Sequence, residues 1–190
     1  MKHISAIILA AGKSTRMGRQ KMLMPWGSIT VLEKVIQTVQ AAEIEDIVLV
    51  ASPEITSKFQ DTYLQVVLNA EGDMLKSIQL GLRAQKESAE ATLICLGDQP
   101  QMEEGSVRSV CEAFQKNAAN LVVPSYQMRR GHPWLVERSL WSEILDIQNG
   151  TMREFLDKHA NQIQYVNLST PTILQDLDTP EDYLKYKPSM

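Results

Sequence analysis

Apolar residues along this chain keep two rhythms, and the rhythms alternate. Ile4 to Ala10 is apolar apart from Ser5, as expected of a strand covered on both faces. Asp46 to Ala51 repeats the pattern and is closed by Ser52-Pro53, and Thr92 to Asp98 repeats it again and ends in a carboxylate. Val66 to Asn69, Leu121 to Pro124 and Ile163 to Leu168 predict shorter strands. Between them the apolar positions fall at helical spacing: Val31, Leu32, Val35, Ile36 and Val39, then Met74, Ile78 and Leu82, then Val107, Val110, Cys111 and Phe114. Thr30 to Glu33 and Thr151 to Glu154 read as capping boxes, and Thr179-Pro180 opens a last helix. Ser125 to Gly150 breaks the rhythm, with a basic turn, Arg129-Arg130-Gly131-His132-Pro133, followed by apolar Trp134-Leu135-Val136.

Such alternation predicts a three-layer α/β/α sandwich with a mostly parallel sheet. The 190 residues fit a single domain spanning positions 1–190. Ligands of such folds gather at the carboxyl ends of the strands. Gly12 and the loop after it, Asn69 and Asp98 all fall at those ends, so they are expected to converge.

Composition narrows the possibilities. Apolar residues make up 44% and charged residues 22%, the balance of a water-soluble globular chain. Cys95 and Cys111 are too few for a disulfide scaffold, and both read as reduced residues of a cytoplasmic protein. Three scattered histidines leave no material for a structural zinc site. A net charge of −4 argues against nucleic acid or a membrane surface as partner. The apolar start is short and runs directly into a basic loop, so it predicts a first strand and no export. Charge is nevertheless uneven: Lys2, Lys13, Arg16, Arg19 and Lys21 all precede the first acidic residue, Glu33. Either this is a solvated face, or one local anion binds there.

The loop itself reads Leu9-Ala10-Ala11-Gly12-Lys13-Ser14-Thr15-Arg16-Met17-Gly18-Arg19-Gln20-Lys21. A P-loop needs another glycine five residues before Gly12, and Ile7 stands there inside the strand. The dinucleotide fingerprint fails on spacing as well. What remains is a small-residue loop in which Gly12 and Gly18 supply permissive dihedrals and exposed N–H groups can face phosphate oxygens. Arg16 and Lys21 can neutralise those oxygens, unless the loop is only a tight connection with solvated cations.

These residues resemble the signature of the MobA-like nucleotidyltransferase family, typified by enzymes of molybdenum cofactor maturation. Gly97-Asp98-Gln99-Pro100, Gly131-His132-Pro133 and Asp176-Leu177-Asp178-Thr179-Pro180-Glu181-Asp182 resemble three further segments of its cytidylyltransferase branch. One segment departs: in Asn69 to Ser77, Asp73 stands where the branch has glycine and Lys76 where it has a small residue. The resemblance implies a Rossmann-like fold of the nucleotide-sugar-transferase (GT-A-like) type. It implies Mg²⁺-dependent transfer of CMP from CTP to a molybdopterin-type acceptor, with release of pyrophosphate and a molybdoenzyme as eventual recipient. Guanylyl or other nucleotidyl transfer to a different phosphorylated acceptor, and a non-catalytic cofactor-binding chaperone, are the alternatives.

Roles follow from the chemistry of a triphosphate. Leu9, Ala10, Ala11, Gly12, Lys13 and Ser14 would approach the nucleotide, with Arg16 and Lys21 on its phosphates. Asp98 would hold Mg²⁺ through oxygen, as this hard cation prefers, or else act as a helix cap or turn residue. Asp178 is the second expected metal carboxylate, although it and Asp176 could instead satisfy backbone donors near the last helix. Asn69 and Ser77 could read ribose or base edges. Arg130, Gly131 and His132 would face the acceptor, with His132 either a cation for its phosphate or a plain turn residue.

Overall fold

The computed structural model describes residues 2–60, 62–117 and 119–188. Its strands and helices are β1 (Ile4–Ala10), the short β2 (Pro25–Trp26) and β3 (Ile29–Thr30), α1 (Val31–Ala41), β4 (Ile47–Ala51), α2 (Pro53–Phe59), β5 (Gln65–Leu68), α3 (Met74–Arg83) and β6 (Ala91–Leu96). The second half holds α4 (Glu104–Lys116), β7 (Leu121–Tyr126), β8 (Arg129–Arg130), β9 (Trp134–Glu137), α5 (Trp141–Leu145), α6 (Met152–Lys158), β10 (Ile163–Asn167) and α7 (Pro180–Tyr186).

The sheet runs in the order β10-β7-β9-β6-β1-β4-β5, with β8 paired to β7. β1 lies parallel to β4 and β6, β4 to β5, and β7 to β10, while β9 runs antiparallel between β6 and β7. The expected mostly parallel sheet is thus present, with two reversed strands, β9 and the short β8. The rhythm broke at Ser125 because β7 and β8 form an antiparallel hairpin there.

Two apolar cores flank the sheet. Ile4, Ala6, Ile8 and Ala10 point to one face, against Leu32 and Val35 of α1, Ile55 of α2 and Phe114 of α4. Ile7 and Leu9 point to the other, against Ile78 of α3, Ile144 of α5 and Phe155 of α6. Side chains alternate across the sheet, so a strand without polar positions must be covered on both faces. Each such fully buried side chain contributes about 1.5–3 kcal/mol.

A third, small core fixes the site. Met17, Met24, Trp26 and Val31 pack with Leu177, and Tyr183 of α7 closes over them. The Tyr183 hydroxyl donates to the Pro25 carbonyl at 2.6 Å. This cluster ties the basic loop after β1 to the segment that carries Asp176 and Asp178. Capping boxes start α1 and α6 as expected, and α7, capped by Thr179 as expected, has a third box; Glu33, Glu154 and Asp182 are the third residues.

Candidate active site

Strand register brings the loops together. Leu9 pairs with Leu96, so β1 and β6 end level, and the Gly97 N–H donates to the Leu9 carbonyl at 3.0 Å. Asp98 therefore emerges beside the loop of residues 11–14. Next comes a 3-10 turn, Thr15–Met17, and then a second one, Lys21–Leu23. Ser14 enters the first turn in the left-handed region (φ 49°), and Gly18 leaves it with φ 66°. Gly12 is not among the positive-φ residues, so the strained entry falls on Ser14 and not, as the sequence suggested, on Gly12. Gln20 locks the loop: its Oε1 accepts from the Ser14 hydroxyl at 2.8 Å and its Nε2 donates to the Gly12 carbonyl at 3.3 Å.

Lys21 is the centre of the site. Its side chain is nearly buried, and its Nζ lies 2.5 Å from an Asp98 oxygen and 3.2 Å from an Asp178 oxygen. Arg16 reaches the other Asp178 oxygen at 3.0 Å. Burial works against the Lys21 ammonium, but the charges and hydrogen bonds of Asp98 and Asp178 outweigh it and hold its pKa above the ordinary value. All four groups line one cleft of about 330 Å³ with Leu9, Ala11, Gly12, Lys13, Ser14 and Ser77. Ala10 does not join them; its side chain is buried in the sheet core beneath the loop.

Asn69 does not reach the cleft either. Its Nδ2 donates to the Asp73 carbonyl and the Ser77 hydroxyl, and its Oδ1 accepts from the N–H groups of Glu71 and Gly72. An amide occupied in this way has no edge left for a base, so Asn69 shapes the turn before α3. Asp73, the departure noted in the sequence, is the N-cap of α3 and accepts from Lys76 N–H at 2.7 Å. Gly72, which sequence reasoning passed over, is needed here: its φ is 76°, and a Cβ would stand 2.9 Å from the Ala11 carbonyl.

A second cavity, about 740 Å³, adjoins the first, and Met74 and Leu96 line both. Arg130 and His132 line it, together with Trp134, and with Arg129 and Arg153, which sequence reasoning did not assign. Gly131 does not: a Cβ there would lie 2.4 Å from the Ile173 carbonyl, so this glycine admits the neighbouring chain and no ligand. His132 stacks on Trp134 with ring centroids 4.1 Å apart. Burial pushes its pKa down to about 3, so it is a neutral ring and not the expected phosphate-holding cation. Arg130 is already engaged, donating to Asp157 at 2.6 Å and to the Tyr165 hydroxyl at 2.9 Å. Arg129 and Arg153 carry no such ion pairs among the described residues.

No cysteine is poised for attack. Burial pushes the Cys95 thiol well above its ordinary range and Cys111 up to about 12.

Comparison with known sequences decides the family. The pattern of the MobA-like NTP transferase domain matches residues 6–163. The chain belongs to that family. Molybdenum cofactor cytidylyltransferase of Escherichia coli K12 is 26% identical across 98% of this chain and 97% of its own length. Rv0371c of Mycobacterium tuberculosis H37Rv superposes with a TM-score of 0.82 at 25% identity, covering 99% of both chains. That protein has also been solved in complex with manganese, at a TM-score of 0.80 and 23% identity over 99% of this chain and all of its own. A nucleotidyl transferase from Methanothermobacter shares the fold, with a TM-score of 0.83 at 21% identity over 98% of this chain and 97% of its own. As a family member the chain is a nucleotidyltransferase with the α/β fold expected of one. No described helix is long and apolar enough to cross a membrane.

Proposed function

We propose that this nucleotidyltransferase transfers CMP from CTP to a molybdopterin-type acceptor and releases pyrophosphate. The observation that carries the reading is the meeting of Lys21 with Asp98 and Asp178 in one cleft that opens beside an arginine-lined cavity. Likeness to the cytidylyltransferase of Escherichia coli across nearly the full length of both chains supports the choice of nucleotide and acceptor.

The donor set fits Mg²⁺. Two carboxylates converge on a single cation, the Lys21 ammonium, and among the described residues no third acidic, His or Cys side chain completes an all-protein cage. Mg²⁺ is commonly held by one or two carboxylates with substrate phosphates filling the remaining positions. Asp98 and Asp178 would hold it here, and when bound it would neutralise phosphate charge. The loop from Ala11 to Ser14 sits close enough to the cleft for backbone N–H groups to meet phosphate oxygens. Arg16, Lys13 and Lys21 would offset the charge that grows on the leaving pyrophosphate. Ser77 lines the cleft, and its hydroxyl, which accepts from Asn69 and donates to the Asp73 carbonyl, has one acceptor position left for the nucleoside.

The acceptor's phosphate is already ionised at neutral pH, so no general base is required. Its oxygen forms a bond to the α-phosphorus of CTP, the bond to the bridging oxygen breaks, and the electron pair leaves with pyrophosphate. Arg129 and Arg153 would hold the acceptor's anionic end, and the flat His132–Trp134 pair would lie against its ring system. We read the whole chain as one such domain, working in the cytoplasm and delivering its product to a molybdoenzyme.

A pyrophosphate-release assay with CTP, GTP, ATP and UTP tests this directly. CTP with a molybdopterin acceptor and Mg²⁺ should be turned over fastest. Preference for GTP, or CTP binding without any turnover, would overturn the cytidylyl assignment.

A further inference from the structure

Gln99 sits beside the proposed metal carboxylate and is only 1% exposed. Its Nε2 donates to an Asp176 oxygen at 2.5 Å and to the Ile173 carbonyl at 3.4 Å. The neighbouring Asp98 carbonyl accepts from Leu177 N–H at 3.1 Å, and Lys21 joins the Asp98 and Asp178 side chains. Residues 98–99 and 176–178 are thus laced together by three successive links. In an extended chain residues two apart share a face. Asp176 and Asp178 instead line different cavities, Asp178 the nucleotide cleft and Asp176 the acceptor cavity.

We propose that Gln99 is a positioning residue: by holding Asp176 on the acceptor side it presents Asp178, and not Asp176, to the nucleotide cleft. Asp176 is a half-hidden carboxylate beside the negative charge of Asp98, and without a donor it would swing toward the nearest cation, the Lys21 ammonium. A side-chain amide suits this task. It donates strongly to the carboxylate yet adds no charge that would compete for Asp98 or Lys21. Leu177, buried between the two aspartates, anchors the backbone, so only the flanking carboxylates have to be sorted.

The inference rests on Asp98 and Asp178 being the metal carboxylates, and the test separates the two ideas. Mn²⁺ serves as probe, its binding followed by electron paramagnetic resonance on the full chain with CTP and no acceptor. Q99A should weaken Mn²⁺ binding about tenfold, as loss of an outer-shell partner does, whereas D176A, which leaves no carboxylate to swing toward Lys21, should stay within about threefold of wild type, and adding D176A to Q99A should restore that affinity. D176N keeps an oxygen that accepts from Gln99, so its Mn²⁺ affinity should stay within about threefold of wild type. Wild-type affinity in Q99A, or a loss in D176N as deep as in D98N, overturns the proposal, the latter because Asp176 would then be a ligand itself. If Q99A fails to fold, as thermal melting would reveal, Q99M keeps the side-chain volume while removing the amide donor and carries the test. D98N is the control: full Mn²⁺ binding there brings down the metal site and the Gln99 role together, whereas loss in D98N with retention in Q99A removes the Gln99 role alone.

Discussion

The two cavities are built on opposite plans. In the proposed nucleotide cleft, charges are matched to one another: Lys21 and Arg16 face Asp98 and Asp178 at 2.5–3.2 Å. The second cavity, which we assign to the acceptor, combines flat, uncharged rings with arginines, and its buried His132 Nε2 and Trp134 Nε1 have no hydrogen-bond partner among the described residues. Buried polar atoms without partners are costly, so they mark where a ligand is expected to supply hydrogen bonds. One side is therefore organised by its own ions, while the other is completed by what it binds. Mutations on the first should change the chemistry, and mutations on the second should change the choice of acceptor.

The deepest break should come from Asp98→Ala, which leaves Lys21 with one carboxylate and removes a proposed metal ligand. Transfer should fall about a thousandfold, on the scale of losing a principal electrostatic group, with the circular dichroism spectrum retained. Near-wild-type turnover would remove Asp98 from the chemistry. Lys21→Met should come next, with about a hundredfold loss in kcat/KM and weaker CTP binding by calorimetry. Unchanged CTP affinity would remove Lys21 from the phosphate site.

On the acceptor side, the double change Arg129→Ala and Arg153→Ala should raise the acceptor KM about tenfold while leaving the KM for CTP in place. Arg130→Ala should do less, because Asp157 and Tyr165 already hold that guanidinium. Equal effects on both substrates would erase the division between the cavities. The smallest effect concerns pH. The His132 pKa is depressed in the folded chain, so the unfolded chain binds its proton first as pH falls. Its contribution to stability is complete above about pH 6.5 and is lost progressively as pH falls toward about 3. Urea unfolding at pH 7 and pH 5 should show this loss in wild type and a smaller one in His132→Gln.

Local features were legible in the sequence, and long-range pairings were not. β1 occupies Ile4–Ala10 as its apolar run predicts, and the capping boxes mark their helices because a cap is written within four residues. α2 went unread as a helix, although Ser52 caps it, Pro53 opens it, and Ile55 and Phe59 share one face. Seven residues carry too little periodicity to stand out. Lys21, Asp98 and Asp178 could be chosen from residue type and position at strand or helix ends, and they do share a cleft. Asn69 looked like a ligand contact for the same reason, and Gly131 and His132 did so through the family resemblance. Asn69 is taken up by the turn before α3 and Gly131 by the Ile173 carbonyl from a distant segment with no periodic signature, whereas His132 does line the second cavity, as a neutral ring stacked on Trp134. The Gln99–Asp176 bond spans 77 residues and has no local trace at all.

The ammonium of Lys21 has one more consequence. Two aspartates contributed by loops far apart in the chain would repel each other in an empty pocket and push those loops open. With a lysine tethered between them, the pocket rests already neutralised. Under the proposed function an incoming triphosphate would draw Lys21 to itself and free Asp98 and Asp178 to hold the accompanying ion, so the protein would meet its ligand without first having to reassemble.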